Sequence, residues 1–69
     1  MSPVTSFNLS PLMNYIIEMI PQGRYVRVTA IDPATGIEAV MVGDAAQPPK
    51  VLERLAVQKL EFLLKRGQG

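Results

Sequence analysis

The sequence predicts an α+β domain in which a three-stranded antiparallel β-meander is followed by one C-terminal α-helix packed on one face of the sheet. Three observations predict this β-β-β-α order. Segments rich in β-branched and aromatic residues come first, clear turn signals separate them, and the only long run of helix-forming residues comes last. We expect an extended N-terminal arm at residues 1–13, the folded domain at 14–66 and a C-terminal tail at 67–69.

The arm contains Pro3 and Pro11, which disfavour regular structure, and it also carries the apolar residues Phe7 and Leu9. An extended conformation is the first prediction for this stretch. The alternative is a short helix that begins at Pro11, with Ser10 as its N-cap.

Two strands are predicted ahead of a hairpin. Residues 14–20 form the first, which ends at the turn signal of residues 21–23, Pro-Gln-Gly. Residues 25–31 form the second, in which apolar and polar side chains alternate, so that one face is buried and the other is wet. The apolar set is Val26, Val28 and Ala30, and the other set is Tyr25, Arg27 and Thr29.

The segment from Asp32 to Gly36, Asp-Pro-Ala-Thr-Gly, is the clearest local signal in the chain. The Asp32 side chain can accept hydrogen bonds from the turn backbone, and Pro33 presets φ at the second turn position. Gly36 can adopt the positive φ that closes a type I turn with a bulge. We therefore predict a hairpin whose returning strand is residues 37–42, followed by a loop at 43–47.

A helix is predicted from Pro49 to Arg66, because good helix formers dominate this run and two basic residues complement the negative end of its dipole. Gly67 is the expected stop. When the helix is projected at about 100° per residue, its apolar side chains cover roughly 240° of the circumference. A helix that packs on one sheet needs an apolar stripe only somewhat wider than ~100°. The apolar side chains are Val51, Leu52, Leu55, Ala56, Val57, Leu60, Phe62, Leu63 and Leu64.

Three strands cannot cover such a wide apolar arc. Either the flank with Val57, Leu60 and Leu64 or the flank with Val51 and Phe62 needs another cover. The arm, the same helix of a second copy, or a different protein could supply it. Lys59 lies near the middle of the arc, where its stem could pack while its ammonium reaches the edge, or where it could pair with a carboxylate across an interface. The candidate interface residues are Phe7, Leu9, Val51, Val57, Lys59, Leu60, Phe62 and Leu64.

The composition argues against an enzyme. A chain of 69 residues is marginally stable alone, and without cysteine or histidine it has neither disulfides nor the commonest metal ligands and general base. We expect no catalytic residue, no metal and no cofactor. Association with another chain, as a homodimer or in a larger complex, is the remaining route to stability.

A second functional hypothesis is a small nucleic-acid-binding module that uses Arg24, Tyr25, Arg27 and the helix lysines. The signal is thin, since the net charge is only +1 and the same sheet face carries Glu18 and Glu38. Those carboxylates could instead form a solvated charge ladder with Arg27. Nucleic acid is therefore the less favoured partner.

The chain shows no signal peptide and no apolar run approaching the ~20 residues that span a bilayer, so we expect a cytoplasmic protein without membrane insertion. Residues 25–38, YVRVTAIDPATGIE, and 52–64, LERLAVQKLEFLL, together with Val42-Gly43, resemble a family of small uncharacterised bacterial domains, mainly from alphaproteobacteria. The resemblance covers residues 14–66 and implies the first strand and the hairpin. It implies no activity, substrate or cofactor, and no role for Lys59, and the arm lies outside it.

The sequence thus favours a non-enzymatic accessory or interaction protein. It does not name the partner, the stoichiometry or the pathway.

Overall fold

The computed structural model describes residues 6–9 and 14–68 and shows one antiparallel sheet followed by one helix. The predicted β-β-β-α fold is confirmed, and the arm adds a fourth strand at the edge of the meander. The sheet order is β1-β2-β3-β4, with every neighbouring pair antiparallel. The elements are β1 (Ser6–Leu9), β2 (Ile16–Gln22), β3 (Tyr25–Ile31), β4 (Glu38–Asp44) and α1 (Pro49–Gln68).

The arm is extended in its described part, as predicted, but it is also paired. The backbone of β1 runs along β2, with Phe7 opposite Glu18 and Leu9 opposite Ile16. It therefore lies at the edge of the sheet and does not cross over the helix. The short helix considered for Ser10 and Pro11 falls outside the described residues.

Strand β2 begins and ends two residues later than expected. Asn14 has φ 58°, a left-handed conformation that asparagine tolerates, and regular pairing starts only after it. Pro21 lies inside the strand, opposite Val26. It has no N–H to donate, and the described part of β1 pairs with β2 only as far as Met19 and does not reach Pro21. Gly23, with φ 65°, closes the turn into β3.

The hairpin between β3 and β4 is built as the sequence predicts. One Asp32 carboxylate oxygen accepts the Ala34 N–H at 3.0 Å, and the other accepts the Thr35 hydroxyl at 3.0 Å. The Gly36 N–H donates to the Asp32 carbonyl at 2.8 Å, and Gly36 has φ 78°. The strand that follows runs from Glu38 to Asp44, so the first two residues of the predicted loop belong to β4.

The core lies between α1 and one face of the sheet. Small residues bring the helix close: Ala30 and Ala39 are opposite each other in the β3–β4 register, and Ala56 lies on the buried face of the helix. Gly43 serves the same purpose, because a Cβ there would overlap the Leu52 side chain. The fully buried apolar residues are Ile17, Val28, Ala30, Ala39, Leu52, Ala56 and Leu60.

Helix α1 begins at Pro49 as predicted, but it does not stop at Gly67. The helix continues through Gly67 to Gln68, and Lys65 and Arg66 lie in its last turn. It runs antiparallel to β4, since Leu52 near its start faces Gly43 and Gly67 near its end approaches Ile37. Along this length the helix is not apolar enough to cross a membrane.

Candidate interaction surface

The two apolar flanks of α1 have different environments. Leu60 is completely buried, and Val57 and Leu64 are partly buried against the core. The sheet therefore covers this flank within a single protomer. Leu60, which the sequence placed among the candidate interface residues, is not accessible to a partner because it fills the protomer's own core.

The opposite flank remains at the surface. Phe62 is 58% exposed and Leu55 is 43% exposed, and Val51 lies one turn before Leu55 in a partly buried position. The Arg66 guanidinium lies 5.7 Å from the centre of the Phe62 ring, within the range of a cation–π contact. We call Val51, Leu55 and Phe62 the exposed flank.

Lys59 shows where the exposed flank lies relative to the sheet. Its Nζ donates a hydrogen bond of 2.6 Å to the carbonyl oxygen of Val40 in β4. Leu55 is four residues before Lys59 and Phe62 is three residues after it, so all three lie on one side of the helix. The exposed flank therefore runs beside β4. The lysine binds a backbone carbonyl of its own chain, an arrangement that neither sequence interpretation anticipated.

The outer edge of β4 presents backbone groups that β3 does not use. Two backbone hydrogen bonds lie at the ends of the β3–β4 ladder, from Asp32 N to Ile37 O and from Ala45 N to Arg24 O, and both are 2.9 Å long. They determine which residues of β4 point their backbone groups towards β3. In an antiparallel ladder, every second residue turns its N–H and C=O away from the partner strand. On β4 these outward residues are Glu38, Val40, Val42 and Asp44, and Lys59 binds one of their carbonyls.

The sheet face away from α1 is more apolar than the sequence suggested. Val42 is 59% exposed there and Val40 is 38% exposed, on the same strand. Arg27 lies directly opposite Ile20 and Val42, whereas Glu18 lies opposite Thr29. The register therefore places no carboxylate directly across from Arg27 on either neighbouring strand.

The residues of the nucleic-acid hypothesis are only partly brought together. Arg24 lies in the β2–β3 turn, Tyr25 is exposed beside it, and both line a shallow cleft. The cleft also contains Asp44, which is directly opposite Tyr25 and whose carboxylate accepts the Ala46 N–H at 2.8 Å. A carboxylate at this position would repel the phosphates of a nucleic acid. Arg27 is two residues further along β3 and does not line the cleft.

A family model described as "Domain of unknown function (DUF6898)" matches residues 12–67. The chain belongs to this family. The matched range includes β2, β3, β4 and most of α1, while β1 lies outside it. No curated protein and no solved structure matches the chain.

Within residues 6–9 and 14–68, no three acidic side chains lie close enough to hold a metal ion together. Tyr15 lies in a shallow cleft with Glu61 and Leu64. Burial raises the pKa of its phenol, and the charges of Glu61 and Asp32 raise it further.

The sequence of this DUF6898 domain did not single out Leu55 as an interface residue, and it did not show that the exposed flank would lie beside the edge of β4. Leu55 belonged to the apolar arc, but nothing in the helical projection alone shows that its side of the arc extends past the sheet. One signal was available in the sequence, because Val51, Leu55 and Phe62 are neighbours on the helix surface and Lys59 interrupts the arc beside them.

Proposed function

We propose that this chain is a non-enzymatic accessory or interaction protein, which associates with itself or docks into a larger protein complex through the exposed flank of α1. One observation carries the proposal. Leu55 and Phe62 remain at the surface beside a free strand edge, although the opposite flank of the same helix is packed into the core.

Energetics favour covering this flank. Removing apolar surface from water contributes about 25 cal/mol per Å², and burying one large side chain contributes about 1.5–3 kcal/mol. Among the residues whose burial the structure describes, only seven apolar ones are fully buried, so the domain is expected to be marginally stable. The Phe62–Arg66 pair also has the composition typical of interface cores, in which aromatic residues and arginine are enriched.

The non-enzymatic part of the proposal rests on the residue types. The chain has no histidine and no cysteine, and the hydrogen bond from the Thr35 hydroxyl to the Asp32 carboxylate belongs to the hairpin turn. We further propose a cytoplasmic location and a bacterial, mainly alphaproteobacterial, family. Both rest on the sequence, the first on a composition without cysteine and the second on the resemblance of its hairpin and helix.

The proposal is tested by placing a charge on the exposed flank. Phe62→Glu should abolish association, because an unpaired carboxylate would have to be buried in the interface. Gln22→Glu is the matched control, since Gln22 is exposed at the end of β2 and its substitution adds the same charge away from the helix. Sedimentation and co-purification from the native cell measure self-association and partner binding, and circular dichroism checks that both variants fold.

The proposal is contradicted if the wild-type chain stays monomeric at high concentration and co-purifies with nothing that Phe62→Glu removes. A gel shift with single-stranded RNA, lost on substitution of Arg24 and Tyr25, would favour the nucleic-acid hypothesis instead.

A further inference from the structure

The exposed flank and the free edge of β4 lie side by side, and together they have the shape of half an interface. The edge offers a further strand the outward N–H groups of β4 and the carbonyls of Glu38 and Val42. Lys59 binds the Val40 carbonyl, and the Gln47 N–H binds that of Asp44. The exposed flank lies on the side of the helix from which Lys59 reaches this edge. A partner that fits both features must bring a strand and an apolar surface in the same relative position.

The position of α1 over the sheet makes a second copy fit. The helix packs on β3 and β4 alike, so its axis lies about half a strand spacing inside the edge. Strands pair about 4.8 Å apart, so two copies joined along β4 would hold their helix axes about 10 Å apart. Packed helices lie about 8–10 Å apart. Pairing the strands would therefore bring the helices into contact without moving the backbone of either protomer.

We propose that β4 pairs antiparallel with β4 of a second copy about a two-fold axis perpendicular to the sheet. This deepens the function proposed above and rests on it. Such an axis keeps both α1 helices on the same face and makes one continuous sheet of the two meanders. The interface is isologous, because each copy presents the same edge and the same exposed flank.

The charges on β4 limit the register of the pairing. An axis through Met41 would put Glu38 directly opposite the partner's Asp44 on both sides of the axis, and like charges in this position are destabilising. An axis through Val40 or Val42 avoids that contact, since each acidic residue then faces a valine or lies beyond the paired segment.

The helices select Val40 between these two. Lys59 lies over Val40, Leu55 lies about 6 Å before Lys59 along the helix, and Phe62 lies about 4.5 Å after it. An axis at Val40 therefore brings Leu55 of one copy against Phe62 of the other, twice. The Val40 N–H group of each copy then donates to the Val40 carbonyl of the other. Each Lys59 loses the hydrogen bond that its Nζ makes to the Val40 carbonyl in the single chain.

Single-cysteine variants test the register directly, because the natural chain contains no cysteine. Val40→Cys would place two thiols across the axis with Cα atoms about 5.5 Å apart, within the range of a disulfide. Val42→Cys is the matched control: it lies on the same face of the same strand, but its symmetry mate would be about 13 Å away, too far for a disulfide. Under mild oxidation we expect a covalent dimer from Val40→Cys and none from Val42→Cys.

A second measurement uses Lys59. Lys59→Met frees the Val40 carbonyl and removes two like charges from the axis, so we expect the dimer dissociation constant to fall several-fold in sedimentation equilibrium. Lys65→Met is the control, because it removes the same charge from an exposed position elsewhere on the helix and should leave the constant unchanged.

The outcomes separate this inference from the broader function. A disulfide in Val42→Cys, or weaker dimerisation of Lys59→Met, would overturn the pairing at Val40. A wild-type dimer that Phe62→Glu disrupts, with neither cysteine variant cross-linking, would overturn the strand pairing and leave the proposed function standing. A wild-type monomer whose partner is a different protein would do the same.

Discussion

Replacing Gly43 by alanine tests how closely α1 approaches the sheet. Gly43 lies in β4 opposite Val26, and a methyl group on its Cα would overlap a terminal methyl of Leu52. Leu52 is only 2% exposed, so its side chain has little room to move away. The helix would have to shift from the strand, or Leu52 would have to leave its preferred rotamer.

The expected cost follows from these two terms. Overpacking a tight core costs typically about 1–3 kcal/mol. Alanine also restricts the unfolded chain more than glycine does, which returns about 0.5–1 kcal/mol. The net loss should be about 1–2 kcal/mol. Since a domain of this size loses about 4–8 °C in Tm per kcal/mol, the midpoint should fall by roughly 5–15 °C.

Urea and thermal unfolding followed by circular dichroism, at one fixed protein concentration, measure this loss. Gly67→Ala is the control, because it adds the same methyl within α1, where the nearest atom is Ile37 Cδ1 at an ordinary 3.7 Å. It should be neutral or stabilising by up to about 1 kcal/mol. In a Leu52→Ala background, the penalty of Gly43→Ala should largely disappear. An undiminished penalty in that background would show that the close approach of Leu52 is not the cause.

Five further substitutions separate the effects of the core, the turn and the Tyr15 titration on stability. Leu60→Ala should lower the free energy of unfolding in urea by about 2–5 kcal/mol, because Leu60 is fully buried. Leu55→Ala should lower that of the isolated protomer by less than about 1 kcal/mol, because Leu55 is exposed. Equal losses in the two variants would contradict the assigned burial. Asp32→Ala removes two side-chain hydrogen bonds of the turn and should cost about 1 kcal/mol in the free energy of unfolding. Thr35→Val also removes two, its bond to Asp32 and the one it accepts from the Ile37 N–H, and should cost a similar amount. The raised pKa of Tyr15 means that the folded chain holds this proton more tightly than the unfolded chain. Its stabilisation is complete below the ordinary pKa of 10.0 and is lost as the pH rises through the folded-state pKa. Tyr15→Phe should flatten that alkaline decline, and an unchanged slope would assign the decline to other groups.

Local chemistry made the hairpin and the helix predictable from the sequence. The Asp32–Gly36 turn is held by hydrogen bonds within five residues, so its signal does not depend on the rest of the fold. Helix α1 starts at Pro49 for an equally local reason, since proline suits the first helical position. Its end was less predictable, because Gly67 continues the helix where a glycine more often ends one.

Long-range pairing was not predictable in the same way. The four residues of β1 carry no strong strand pattern, and their order comes from the edge of β2 that they join. Pro21 illustrates the same limit. It is typical of the end of a strand, yet it lies inside β2, opposite Val26 of β3.

The flank of α1 that stays exposed is decided by the small residues of the sheet. A helical projection shows two apolar flanks of similar character and gives no reason to choose between them. Ala30, Ala39 and Gly43 leave a depression over β3 and β4, and Leu52, Ala56 and Leu60 fill it.

Seating the helix there has a consequence for the edge of the sheet. It turns one flank inward towards the core and moves the other out beside β4, where Lys59 reaches the Val40 carbonyl. The same close packing that stabilises the protomer therefore places Leu55 and Phe62 next to an unpaired strand edge. Enlarging Ala39 to valine should push the helix away from β4 and weaken both folding and association, whereas Phe62→Glu should weaken association alone. Unfolding and sedimentation measured on the same two variants would show whether core and interface are coupled in this way.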